Sequence, residues 1–324
     1  MYQYLSGYFR PNPLVGSDHG LADVGSKPTV YSPSFKWATV FEHRLYENKY
    51  ALIGGGSLTA SRVDVSDGVN EHGLMAQKLT FGGAKYCDNR CADKVQLAAF
   101  EFIFWVLGNF KSVQDVIDHL DQVELMSEKN SDMKYGKPEL HLALADRTGR
   151  VVVIEPTSWP LTVHENPLGI VTNSPNFERQ LRKMDEYVNF IPEFKEKRVP
   201  LNTPRVTTGR LSGKANPPGY YSPSARFIRA AYLKERADVP ADEQTGLISE
   251  WHLLDSVTVP QNTRHQPTYS VYRAVTVAES RSYYFQSYHR GDISKLQLTD
   301  EMLEWTKPKG YHLPDHLTVR KLNR

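Results

Sequence analysis

The chain has 324 residues, with 39 basic against 37 acidic side chains, and the net charge of +2 excludes the strong field of a nucleic-acid or membrane-surface binder. Hydrophobic residues make up 40% and charged residues 23%, ordinary for a chain that buries a core, and at about 150 residues per domain the length fits two domains or one large αβ domain. Two cysteines exclude a disulfide scaffold and fit a reducing cytoplasm. The longest apolar stretch, Ala98 to Gly108, is broken by Glu101 and is too short to span a bilayer. Residues 1–20 are polar, carry Pro11 and Pro13, and do not read as a secretory signal.

In chain order, the first strand-like patch is Lys49 to Ile53, running into Gly54-Gly55-Gly56. Lys94 to Phe110 is apolar nearly all round and predicts a buried helix. Ser112-Val113-Gln114-Asp115 resembles a capping box in its acidic variant, and Val113, Val116, Ile117 and Leu120 follow at helical spacing. Leu140 to Ala145 and Val151 to Glu155 flank Asp146-Arg147-Thr148-Gly149, the pattern of a hairpin with a Gly-ended turn. Leu161 to His164 and Leu168 to Thr172 read as further strands. Residues 195–224 are rich in Pro and Gly and predict long loops. Ala225 to Glu235 and Leu247 to Val257 predict helices. Ser270 to Ala278 and Ser282 to Tyr288 alternate around Glu279-Ser280-Arg281, a second hairpin. There is no repeat, heptad run or low-complexity tract, and strands, then helices, then strands predict stacked layers rather than βαβ repeats.

Several residue groups invite a chemical reading and fall short of it. Cys87 and Cys91 form a C-x3-C pair, but a zinc site takes about four ligands and there is no second pair. Arg90 beside them lowers a thiol pKa, yet no histidine stands nearby as a base. The eleven histidines show no metal-binding spacing, and His141 and His164 lie within strand patterns as structural residues. Gly54-Gly55-Gly56 lacks either phosphate-loop layout, and no G-x-S-x-G elbow occurs.

Three segments say more together than apart. They are Asp67-Gly68-Val69-Asn70-Glu71-His72-Gly73-Leu74, Gly169-Ile170-Val171-Thr172-Asn173-Ser174-Pro175-Asn176-Phe177 and Tyr221-Ser222-Pro223-Ser224-Ala225-Arg226-Phe227-Ile228-Arg229. Each alone is a turn signal. In this order and spacing, and with Phe102 to Phe110 and the C-terminal hairpin, they resemble the choloylglycine hydrolase family over about residues 25 to 300. The resemblance implies an α+β fold: a four-layer αββα sandwich with two antiparallel sheets, of the N-terminal-nucleophile hydrolase type, as a single domain over 25–324. It implies hydrolysis of linear amide C–N bonds by an N-terminal cysteine, whose own α-amino group serves as base. Asn173 matches the family's side-chain oxyanion donor, and Arg226 matches the arginine beside the nucleophile. Thr80 falls where bile salt hydrolases carry a second asparagine and some penicillin V acylases a tyrosine. Its backbone N–H remains an oxyanion donor, and the change tilts the substrate toward penicillin V over conjugated bile salts. The resemblance implies no cofactor, no metal, a small-molecule amide substrate, no nucleic-acid or membrane partner, a homotetramer and a cytoplasmic location.

The departure lies at residues 1–24, where the family begins Cys-Thr-Ser and continues to Arg-Thr-Met-Asp. This chain reads Met1-Tyr2-Gln3-Tyr4 and lacks the nucleophile, the adjoining arginine and the aspartate that holds the amine. Any Met1-Tyr2 codon pair contains TGT, a cysteine codon, one base along. With free choice of synonymous codons, that shifted frame reads Cys-Thr-Ser at the start and Arg-Thr-Met-Asp out of Ser17-Asp18-His19-Gly20-Leu21. The expectation is therefore an amide hydrolase with a frameshifted N-terminus, inactive as written. A catalytically dead relic that binds amides and an acyltransferase of the same fold are the alternatives.

Overall fold

The computed structural model describes residues 8–11, 27–41, 45–58, 62–89, 93–131, 135, 139–187, 218–261, 268–313, 316–317 and 319–323. The strands in chain order are β1 Tyr8–Pro11, β2 Lys27–Tyr31, β3 Lys36–Ala38, β4 Leu45–Glu47, β5 Leu52–Leu58, β6 Val63–Asn70, β7 Met75–Thr80, β8 Val95–Leu97, β9 Val123–Leu125, β10 Leu140–Ala145, β11 Val151–Glu155, β12 Thr162–Glu165, β13 Thr268–Val277, β14 Ser282–Ser287, β15 Ser294–Gln297 and β16 Lys309–Gly310. The helices are α1 Phe102–Asn109, α2 Val113–Ile117, α3 Phe177–Met184, α4 Pro223–Lys234, α5 Glu243–Val257 and α6 Asp300–Leu303.

Eight strands form one antiparallel sheet in the order β12-β11-β10-β7-β6-β5-β2-β16, and four form a second in the order β1-β13-β14-β15. Side chains alternate across a strand, so each sheet offers two faces. Leu142 and Leu144 of β10 and Val152 and Ile154 of β11 pack on α1. From the other face of the large sheet, Val30 and Ile53 meet Tyr272, Ala274, Tyr283 and Phe285 of the small one. The outer face of the small sheet, with Val275, Val277 and Tyr284, packs on Trp251 and Leu254 of α5. The result is the four-layer αββα sandwich.

Strand β6 contains a bulge. Gly55 pairs with Asp67 and Gly56 with Val65, which leaves Ser66 as an extra residue. Val63 and Val65 therefore face the helix layer, whereas Asp67 faces the small sheet and accepts hydrogen bonds from the Tyr272 and Tyr283 hydroxyls. Burial pushes the Asp67 carboxyl up to about 6, and the two tyrosine hydrogen bonds pull against that rise. Gly55 is required here, because a Cβ would stand 2.2 Å from the Tyr283 Oη.

The hairpins at 146–149 and 279–281, the strand at 162–165 and the helices α4 and α5 form where the sequence pattern places them. Three expectations change. The helix over 94–110 is shorter, because Val95–Leu97 pairs in parallel with Val123–Leu125 instead. The Glu101 carboxylate then accepts the N–H groups of Ala98 and Val40, tying residues 98–101 into a turn before α1 begins. Leu168 to Thr172 is not a strand: Asn166 accepts the Gly169 N–H and donates to the Ile170 carbonyl, and Gly169 adopts φ +73. Met1 to Asp23 reads poorly as a strand, yet Tyr8–Pro11 pairs with β13 at the edge of the small sheet, where a proline is tolerated. Of the expected loops at 195–224, residues up to 217 lie outside the described residues.

Candidate active site

Helix α4 begins with Ser222, whose Oγ accepts the Ala225 N–H at 3.3 Å, and with Pro223 as its first residue. This start puts Arg226 in the first turn, facing inward and buried. Its Nε donates to the Tyr221 carbonyl at 3.1 Å, and its Nη2 donates to Asn173 Oδ1 at 2.8 Å. Asn173 Nδ2 in turn donates to the Thr80 carbonyl at 2.9 Å. An arginine only donates and a carbonyl only accepts, so the orientation of the Asn173 carboxamide is fixed by its partners. Three residues separated by up to 146 positions in sequence thus form one chain of hydrogen bonds.

The loop carrying Asn173 is held from several sides. Thr172 Oγ1 donates to the Pro223 carbonyl at 3.2 Å, and Gln180 of α3 donates to both Thr172 Oγ1 and the Asn173 carbonyl at 3.2 Å. The Gly82 N–H donates to Ser174 Oγ at 2.6 Å, linking the end of β7 to the loop. Burial pushes the Arg226 guanidinium down to about 10, helped by the nearby charge of Arg229, so it stays cationic at neutral pH. A cavity of about 60 Å³ opens beside the cluster, lined by Arg226 and Thr172 together with Gln77, Leu79 and Tyr272 from the two sheets.

The structure therefore joins Asn173, Arg226 and Thr80, but Thr80 enters through its carbonyl while its side chain is exposed. Gln180 and Glu155, which hold the loop, gave no motif. The available signal was a glutamate ending the otherwise apolar run Val151 to Ile154. Cys87 is half-buried, and burial followed by the charge of Glu124 pushes its thiol up to about 11, the reverse of an activated nucleophile. Cys91 and Arg90 lie outside the described residues. Among the described residues, no group of three or more His, Cys, Asp or Glu is arranged to hold a metal, and no helix is long and apolar enough to cross a membrane.

Comparison with known proteins gives a consistent picture. The sequence model of the linear amide C–N hydrolases, choloylglycine hydrolase family, matches residues 19–311. The bile salt hydrolase/transferase of Lactiplantibacillus plantarum is 31% identical over 322 residues, spanning 96% of this chain and 95% of the relative. That of Clostridium perfringens is 27% identical over 321 residues, spanning 96% of each. Among solved structures, a cysteine-to-alanine mutant of the conjugated bile acid hydrolase from Clostridium perfringens gives a TM-score of 0.76 at 24% identity, over 100% of both chains. Penicillin V acylase from Agrobacterium tumefaciens gives 0.69 at 20% identity, over 94% of this chain and 90% of that one. At such identities the structural likeness establishes the shared fold.

Proposed function

The chain belongs to the choloylglycine hydrolase family of linear amide C–N hydrolases, and on that premise we propose that its site handles N-acyl amides of the conjugated bile salt type, with Asn173 as oxyanion donor and Arg226 as the cation beside a thiol. The observation that carries this reading is the hydrogen-bonded chain Arg226–Asn173–Thr80, whose Arg226 lines the cavity. One N–H of Asn173 Nδ2 is spent on Thr80, and the second serves the substrate carbonyl oxygen as it gains charge. Arg226, by donating to Asn173 Oδ1, keeps that donor from rotating and supplies the positive charge that lowers a neighbouring thiol pKa. In the reaction, a thiolate attacks the amide carbon, the C–N bond breaks with a proton delivered to the leaving amine, and water then cleaves the thioester to the free acid.

Residue 80 contributes its main chain, so its identity does not by itself decide between penicillin V and conjugated bile salts. The relatives matching nearly the whole chain at 27–31% identity are bile salt hydrolases, which favours the latter, with penicillin V as the second substrate. The names of those relatives pair hydrolase with transferase, so an amine acceptor replacing water is the second reading.

The family's N-terminal cysteine has no counterpart in Met1-Tyr2-Gln3-Tyr4 as written. The chain's cysteines are Cys87 and Cys91, and a mid-chain thiol has no α-amino group to act as base. With free choice of synonymous codons, a shifted frame over residues 1–24 reads the cysteine and the Arg-Thr-Met-Asp element at family spacing. The test is amine release, read with fluorescamine, from glycocholate, taurocholate and penicillin V by both forms. The 324-residue chain is expected to be silent and the form with the shifted-frame N-terminus to turn over at least one. Turnover by the first form overturns the missing-nucleophile reading. A folded but silent second form overturns the frameshift reading. Added glycine that diverts the acyl group into a new amide supports the transferase reading.

A further inference from the structure

Glu155 ends β11 and is fully buried, on the side of the large sheet away from α1. Its Oε1 accepts the Phe177 N–H at 2.8 Å and faces His141 Nδ1 at 3.2 Å, and its Oε2 stands 3.5 Å from His164 Nε2. A carboxylate only accepts, so His141 carries its proton on Nδ1. Phe177 is the first residue of α3, directly after the loop 172–176 that presents Asn173. The His141 ring stacks on Phe81, with centroids 4.7 Å apart and planes 12° apart. Phe81 follows Thr80, whose carbonyl takes the Asn173 carboxamide. Both walls of the oxyanion site therefore rest on one carboxylate: the loop through Phe177, and the end of β7 through His141 and Phe81.

We propose that Glu155 is a positioning residue for amide hydrolysis, holding Asn173 and the Thr80 strand end in mutual register without touching substrate. This rests on the oxyanion role assigned to Asn173 above. Hydrogen bonds to a charged acceptor are about twice as strong as neutral ones. Burial alone would raise the carboxyl, but the hydrogen bonds from His141 and Phe177 and the nearby His164 hold it at about 2, so the acceptor stays ionised. The His164 Nε2 is the third group facing the carboxylate, with Glu178 of α3 beyond it.

The test has two arms. In the 324-residue chain, amide hydrogen exchange is followed over residues 172–184 and 77–82, with α5 as the internal control. Glu155→Ala is expected to speed exchange in both segments by about tenfold or more. Glu155→Gln keeps an acceptor for Phe177 and is expected to hold the wild-type pattern over 172–184. His141→Leu is expected to speed exchange over 77–82 alone. In the form with the shifted-frame N-terminus, Glu155→Ala is expected to lower kcat by about 10–100-fold at constant KM, with no further loss when Asn173→Ala is already present, because both changes act on one donor.

Unchanged exchange, a loss confined to KM, or fully additive losses overturn the proposal. Should Glu155→Ala fail to fold, His141→Leu decides: unaltered exchange over 77–82 overturns it. If the parent enzyme is silent on every amide, the functional reading falls and the exchange arm still decides the positioning role. If the parent is active and Glu155→Ala equals it, the positioning role falls and the functional reading stands.

Discussion

Strand β7 separates two buried polar clusters, one built on opposite charges and the other on a chain of hydrogen bonds that ends at a cavity. On the helix-layer face, Lys78 Nζ donates to Asp64 Oδ1 and to the Phe100 carbonyl at 2.8 Å. Arg62 binds the other Asp64 oxygen and lies 3.9 Å over the Phe100 ring. Burial pushes the Lys78 ammonium down while Asp64 pulls it back, and Lys78 and Arg62 hold the Asp64 carboxyl low against its own burial. Lys78 and Asp64 thus meet opposite charge at short range. On the face toward the small sheet, the Asn173, Arg226, Glu155 and His141 cluster is equally buried but unfinished. His141 Nε2 is buried with no hydrogen-bond partner, Asn173 Nδ2 spends one of its two N–H groups on Thr80, and Arg226 lines a cavity. The charge-paired cluster serves the fold, and the one that reaches a cavity is where the chemistry is proposed.

The largest expected effect tests the charge-paired cluster. Lys78→Ala leaves Asp64 with Arg62 alone and should cost about 3 kcal/mol, the low end for a broken buried pair. Urea unfolding at unchanged slope measures it, and a paired Lys78→Met, Asp64→Leu change should recover most of the loss. A cost below about 1 kcal/mol for Lys78→Ala would show the cluster to be dispensable, and the contrast would collapse.

The next effect should move activity and spare stability. Asn173→Ala in the form with the shifted-frame N-terminus is expected to lower kcat by about 10²–10³-fold, the usual cost of one oxyanion donor. Unfolding should shift by only about 1 kcal/mol. Equal damage to both clusters' stability would erase the distinction drawn between them.

The smallest effect is a pH dependence. Glu155 is held at about 2, below its ordinary value, so its contribution is complete above about pH 4.5 and fades as pH falls toward 2. His164 is raised by its close contact with Glu155, so its contribution is present below about pH 6.5 and fades as pH rises through the folded value. Glu155→Gln should flatten both limbs of a Tm-against-pH curve, by roughly 2 °C at each end. An unaltered curve would mean that the carboxylate and His164 do not interact energetically.

Much of the fold was legible because alternation and turn chemistry are local. Asp146 to Gly149 announces its hairpin, and Ala225 to Glu235 announces α4, which opens two residues earlier at Pro223, inside the expected loop. What was hidden depends on distant partners. Val95 to Leu97 looks helical until Val123 to Leu125 offers a ladder, and Glu101 looks like an interruption until its carboxylate finds Val40, 61 residues away. In the site, Asn173 and Arg226 were legible through their flanking motifs. Glu155 and His141 were not, because a glutamate or a histidine in a strand carries no mark of what it will face across the sheet.

The bulge at Ser66 bears on which insertions and deletions this sequence can absorb. A lineage that deleted Ser66 would gain an unbroken ladder between β5 and β6 and would look improved by any local measure. Yet the deletion would reverse the facing of one half of β6 relative to the other. Asp67 would turn toward Leu107 and the helix layer, and the hydroxyls of Tyr272 and Tyr283 would lose the carboxylate that accepts from both. The irregular residue is the stitch that joins the two sheets, so length variation along this chain should accumulate everywhere before it touches that position.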